Sequence, residues 1–173
     1  MTLLFRYWLD LCLLRAAPQD GPASTFILGL ALACYGLVSL VVLVGSYDVP
    51  VGATLALLDL VLLVVFVTAL LYLLGKTARI RQTLAALAGA GALLGLAALP
   101  LVLLQAPAAG NGTQGPVFSL VWIVLLVWNV VVSANIMRHA LSSSFAIGLA
   151  VSVLYLLIST QIDLGMLPDE IGP

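Results

Sequence analysis

Charge is what this sequence has least of. Six Lys or Arg and seven Asp or Glu in 173 residues leave 8% of the side chains charged, against roughly a quarter in ordinary soluble domains. With 64% of residues hydrophobic and a mean hydropathy of +1.26, there is too little polar surface to cover a water-soluble core, and lipid is the expected solvent. No basic surface is large enough to hold nucleic acid, so no nucleic-acid partner is expected. One histidine and two cysteines are present: Cys12 lies in an amphipathic opening segment and Cys34 in an apolar run, an arrangement that reads as two small apolar fillers rather than a disulfide. Clustered acids, a Gly-rich phosphate loop and a nucleophile motif are also missing, so the sequence gives catalysis little support; neither metal nor cofactor is expected. Arg6, Asp10 and Arg15 interrupt the opening apolar residues, which argues against a cleaved secretory signal.

What the chain does have is five long apolar stretches. They run over residues 25–45, 51–75, 83–105, 116–137 and 141–161, each close to the roughly 20 residues that carry a helix across hydrocarbon. The fold class expected is therefore an all-α five-helix membrane bundle. Ahead of it, Thr2–Arg15 (TLLFRYWLDLCLLR) is too short to span. At helical spacing it places Thr2, Arg6 and Asp10 on one stripe, with Tyr7 and Trp8 among the apolar remainder. Two readings stay open for it: an amphipathic helix lying at the membrane interface, or one packed under the bundle. The segment AAPQDGPAS, residues 16–24, breaks that helix and offers Ser24 as the N-cap of the first span. The domain division is then 1–24 as amphipathic helix and linker, 25–161 as the spanning domain and 162–173 as a short acidic tail.

Arg6 and Arg15 precede the first span, Lys76, Arg79 and Arg81 join the second to the third, and Arg138 joins the fourth to the fifth. All six basic residues thus fall on one side, which the positive-inside rule makes cytoplasmic, with the N-terminus inside and the C-terminus outside. Asp48, Asp163, Asp169 and Glu170 fall on the opposite side. The loop triplet Asn111, Gly112, Thr113 has the form of a glycosylation sequon and reads as a turn.

Small residues mark helix faces that a neighbour can approach closely. Gly91 and Gly95 form a GxxxG pair on the third span, and Ser144, Gly148 and Ser152 repeat the four-residue spacing on the fifth. Such faces serve packing within the bundle or association with another membrane protein.

Asp59 stands apart, because an ionisable group inside a span is costly and marks function or a specific partner. It lies about 12 Å from the outer end of its helix, and Tyr35, Ser152 and Asn129 reach comparable depths of about 14–18 Å on their own spans. These three are the candidate partners. One role for the carboxyl group is a hydrogen-bonded pin between the second span and the fourth or fifth; the other is a proton or cation coupling site. His139, at the opposite boundary, is too far away to share a site with it.

A cytoplasmic amphipathic segment, the Pro-rich entry PQDGPAS at residues 18–24, five tightly connected spans and an outward C-terminus together resemble bacterial members of the Yip family, the Ypt/Rab-interacting-protein-like membrane domains. The resemblance is one of architecture and carries over no functional residue. It implies a scaffold or complex subunit rather than an enzyme. Abundant Leu, Ala and Val with a single Lys fit a bacterial inner-membrane protein. The function expected is a non-enzymatic scaffold or subunit acting by lateral helix association, with lipid and a membrane-protein partner or second copy as its contacts. The alternative is a small proton- or cation-coupled transporter or channel subunit using Asp59.

Overall fold

A single apolar run can satisfy its own backbone in hydrocarbon only by coiling into a helix, and every long run here does so. The computed structural model describes residues 2–21, 23–105 and 116–166; the Asn111 turn and the acidic pair Asp169 and Glu170 lie outside them. The helices are α1 (Thr2–Cys12), α2 (Thr25–Ser46), α3 (Val49–Leu73), α4 (Ile80–Gln105), α5 (Pro116–Leu141) and α6 (Phe145–Met166). Five of these, α2 to α6, are long and apolar enough to cross a membrane, and among the described residues there is no strand. The chain is a multi-pass, all-helical membrane protein.

Helix ends follow backbone capping rather than the edges of the apolar runs. Ser24 stands at the N-cap of α2 in an extended conformation, but its side chain makes no capping bond. Pro50 sits in the first turn of α3, where a missing N–H costs nothing. At the other end Gly75 takes φ +69° and the Lys76 N–H reaches back to Leu71 O at 2.8 Å, a left-handed cap that suits glycine. Several ends differ from expectation, most of all in the last two spans. The fourth span runs on from Met137 to Leu141, and the fifth runs from Phe145 to Met166, so Ile162 and Asp163 are helical rather than part of a tail. Hydropathy fades before the hydrogen-bonded ladder does, which is why composition ends the fifth span too early.

The spans pack into one bundle: α2 packs on α3 and α4, α4 on α5, α5 on α6, and α3 on both α4 and α6. Small residues set these seams. A Cβ on Gly52 would lie 2.8 Å from the backbone of Leu43 and Val44, and one on Gly95 would lie 2.6 Å from Val38 Cγ1. Gly148 of α6 meets Ala134 O and the Arg138 N of α5. At the end of the bundle that carries the basic residues, Lys76 Nζ donates to Leu141 O, and Arg79 Nη1 donates to His139 O at 3.1 Å and Ala140 O at 3.0 Å. These cations sit where the last carbonyls of α5 present the negative end of its dipole.

Helix α1 packs against α4 and α5. The Trp8 indole fills the space left by Gly89, Cys12 Sγ lies 3.7 Å from Ala90 O, and Trp128 Nε1 donates to Cys12 O at 3.1 Å. Tyr7 Oη donates to Pro18 O at 3.1 Å. Burial, reinforced by the nearby Asp20 charge, pushes the Tyr7 hydroxyl up to about 12; burial alone pushes the Cys12 thiol up to about 11.

One connected core gathers Trp8, Leu11 and Cys12 of α1 with Ala31, Leu63 to Leu71, Leu84 to Ala90 and Val132 to Leu141 of the spans. These span residues all belong to the halves of α2 to α5 nearer the basic end. The opposite half is packed differently, and the site lies there.

Candidate functional site

Asp59 is reached from two neighbouring helices. Tyr35 Oη of α2 donates to Oδ2 at 2.6 Å, Ser39 Oγ, one turn further along α2, lies 3.5 Å from the same oxygen, and Tyr155 Oη of α6 donates to Oδ1 at 3.1 Å. Both carboxylate oxygens are therefore answered by hydroxyls. A hydroxyl can donate to a carboxylate or rotate to accept from a carboxylic acid, so the cluster can be satisfied with or without a proton on Asp59. The Tyr155 ring is held in turn by Phe66 of α3, with ring centroids 5.3 Å apart at 59°, a tilted packing that aromatic pairs favour.

The small pair on α4 builds this cluster directly. A Cβ on Gly91 would lie 2.7 Å from Tyr35 Cε2. Only a residue without a side chain lets the Tyr35 ring lie against α4 with its hydroxyl turned to Asp59. The GxxxG face is thus occupied by α2 of the same chain, as the Gly148 face is by α5.

Beside the cluster, toward the side away from the basic end, lies a cavity of about 480 Å³. All five spans line it. Tyr35, Val38, Ser39 and Val42 come from α2, Asp59 from α3, Gly91, Leu94, Gly95 and Ala98 from α4, Trp122, Leu125 and Asn129 from α5, and Asp163 from α6. The walls are mainly apolar; Asp59 lies beside the Tyr35 and Ser39 hydroxyls at the inner part. Asp163 follows Tyr155 by eight residues on α6, which puts it about 12 Å further from the basic end.

The four residues expected to form the polar site are only partly brought together. Tyr35 bonds Asp59 as expected. Asn129 shares the cavity with Asp59 but makes no hydrogen bond to it, and Ser152 is buried with its Oγ unpartnered. The carboxyl group therefore ties α3 to α2 and α6, not to α5, because α3 packs on α2, α4 and α6 rather than on α5. Ser144 is exposed, and its Oγ lies 3.5 Å from Ile147 N at the start of α6. Ser39, Tyr155, Asp163 and Trp122 join the site without having stood out in the sequence. Ser39 carries a readable signal, since it lies four residues after Tyr35 and shares its helix face. Among the described residues, no group of three or more His, Cys, Asp or Glu side chains is placed to hold a metal ion. The chain matches no family model, no curated protein and no solved structure.

Proposed function

We propose that this multi-pass protein binds and passes protons or small cations through the membrane, as a small transporter or channel subunit, with Asp59 as its exchanging group. One observation carries this reading: an intramembrane carboxylate lies at the inner part of a cavity lined by all five spans. Buried charge inside a membrane is expensive and is kept where a pathway needs it, and a pocket with few convergent polar groups is the usual form of a small-molecule site. Lateral association as a scaffold would draw on the small-residue faces of α4 and α6, whose Gly91, Gly95 and Gly148 meet helices of the same chain, and on α1, which packs against α4 and α5. The cavity therefore carries the proposal. In this reading the protein sits in a bacterial inner membrane with its basic end in the cytoplasm, so the cavity opens outward.

The test is ion flux in liposomes. The purified protein is reconstituted around a trapped pH-sensitive dye, and proton entry is followed after an imposed potassium diffusion potential. Wild-type vesicles acidify above the protein-free rate; Asp59→Asn, which preserves shape and much of the hydrogen bonding, falls to that background while remaining folded by size-exclusion chromatography. Equal rates for wild type and variant, or a wild-type rate no higher than protein-free vesicles, overturn the proposal.

A further inference from the structure

The size of the cavity says more than its carboxylate does. A proton or a bare metal ion needs a few close oxygen ligands, whereas about 480 Å³ falls in the range that encloses a small organic molecule. The walls on offer are Val38, Val42, Leu94, Ala98 and Leu125, which suit hydrocarbon and give almost nothing to a strongly hydrated solute. We propose that the cavity takes an organic cation with an apolar body, its positive charge drawn to Asp59 and its entry passing Asp163. This rests on the reading of the cavity as the transport site and names the class of molecule it holds.

Three features set the sign of the charge. The two carboxyl side chains lining the cavity, Asp59 and Asp163, have no basic residue beside them in its walls. The six basic residues of the chain, Arg6, Arg15, Lys76, Arg79, Arg81 and Arg138, all belong to the opposite end, so no cation of the protein competes for the carboxylates. With low-dielectric walls around them, these carboxyl groups in their ionised form set up a field that concentrates cations and repels anions. Finally, Tyr35 and Trp122 also line the cavity, and aromatic faces hold organic cations that have shed their water. An anion of the same shape would meet the same walls and the opposite field.

The experiment uses that symmetry. Tetraphenylphosphonium and tetraphenylborate have nearly the same shape and opposite charge. Each is equilibrated by dialysis against the full-length protein in phosphatidylcholine nanodiscs, with protein-free discs as the background. Tetraphenylphosphonium binds saturably, about one per chain, and tetraphenylborate shows no saturable binding. Asp59→Asn weakens the cation at least tenfold and Asp163→Asn weakens it severalfold. Leu125→Trp, which fills the cavity and leaves the Asp59 cluster untouched, abolishes binding and decides the matter even if Asp59→Asn does not fold. Saturable binding of both ions alike, cation binding indifferent to Asp59→Asn and to Leu125→Trp, or no saturable cation binding each overturns the proposal. Absent binding with proton flux intact removes the organic cation and leaves the ion pathway; loss of both removes the cavity as a transport site.

Discussion

A carboxyl group in hydrocarbon persists only if both of its oxygens are answered, and at Asp59 the answer depends on a residue that touches neither oxygen. Gly91 makes room for the Tyr35 ring, and Tyr35 makes the shortest of the bonds to the carboxylate. Replacing Gly91 by Ala places a methyl group 2.7 Å from that ring, an overpacking expected to cost about 1–3 kcal/mol and to turn the hydroxyl away. Gly91→Ala should therefore lower the midpoint of detergent-induced unfolding and reduce proton flux together. A methyl group added at Gly29 would meet nothing within 4 Å, so Gly29→Ala is the matched control and should keep both. A parallel loss in the two variants would assign the effect to glycine chemistry rather than to Tyr35. Asp59 and Tyr35 are legible in the sequence, because a lone charge in an apolar run is conspicuous and a tyrosine at similar depth is its natural donor. That Gly91 serves Asp59 is not, since a GxxxG pair announces a close neighbour without saying which side chain will come.

Helix length decides which other partners can be read. With α3 starting at Val49 and α6 ending at Met166, Asp59 lies about 15 Å, and Tyr155 about 16 Å, from the same end of the bundle. Counting the fifth span only to Gln161 shifts that scale by five residues, which favours Ser152 and hides Tyr155. The same early ending assigns Asp163 to a tail and so conceals the second carboxylate of the cavity. Polar residues in the last turns of a helix look like its end in a hydropathy profile, yet the backbone continues until a cap stops it. At the other end of the bundle the connections between elements also carry weight. Arg79, in the link from α3 to α4, donates to the final carbonyls of α5. Arg79→Gln should destabilise the bundle by about 1 kcal/mol through lost charge at the negative helix end, read as a lower unfolding midpoint with proton flux retained. An unchanged midpoint would show that water replaces the guanidinium at no cost.

At the scale of the whole molecule, charge and packing share one polarity. The basic residues and the connected core occupy one end, and the acidic cavity the other. The positive-inside rule predicts that the basic end faces the cytoplasm, and cysteine labelling of intact cells that make the protein can test it. In a background lacking Cys12 and Cys34, Ser46→Cys at the exposed last residue of α2 should react with a membrane-impermeant maleimide. Arg81→Cys, exposed near the start of α4, should react only after permeabilisation. The reverse pattern would put the cavity mouth in the cytoplasm. This separation also bears on how such a chain can change over generations. Substitutions at the wall residues that make no tie between helices, such as Val42, Leu94 and Leu125, meet open space, while the connected core that holds α1 to the spans lies at the other end. A lineage can therefore alter what the protein accepts without first having to relearn how to assemble it.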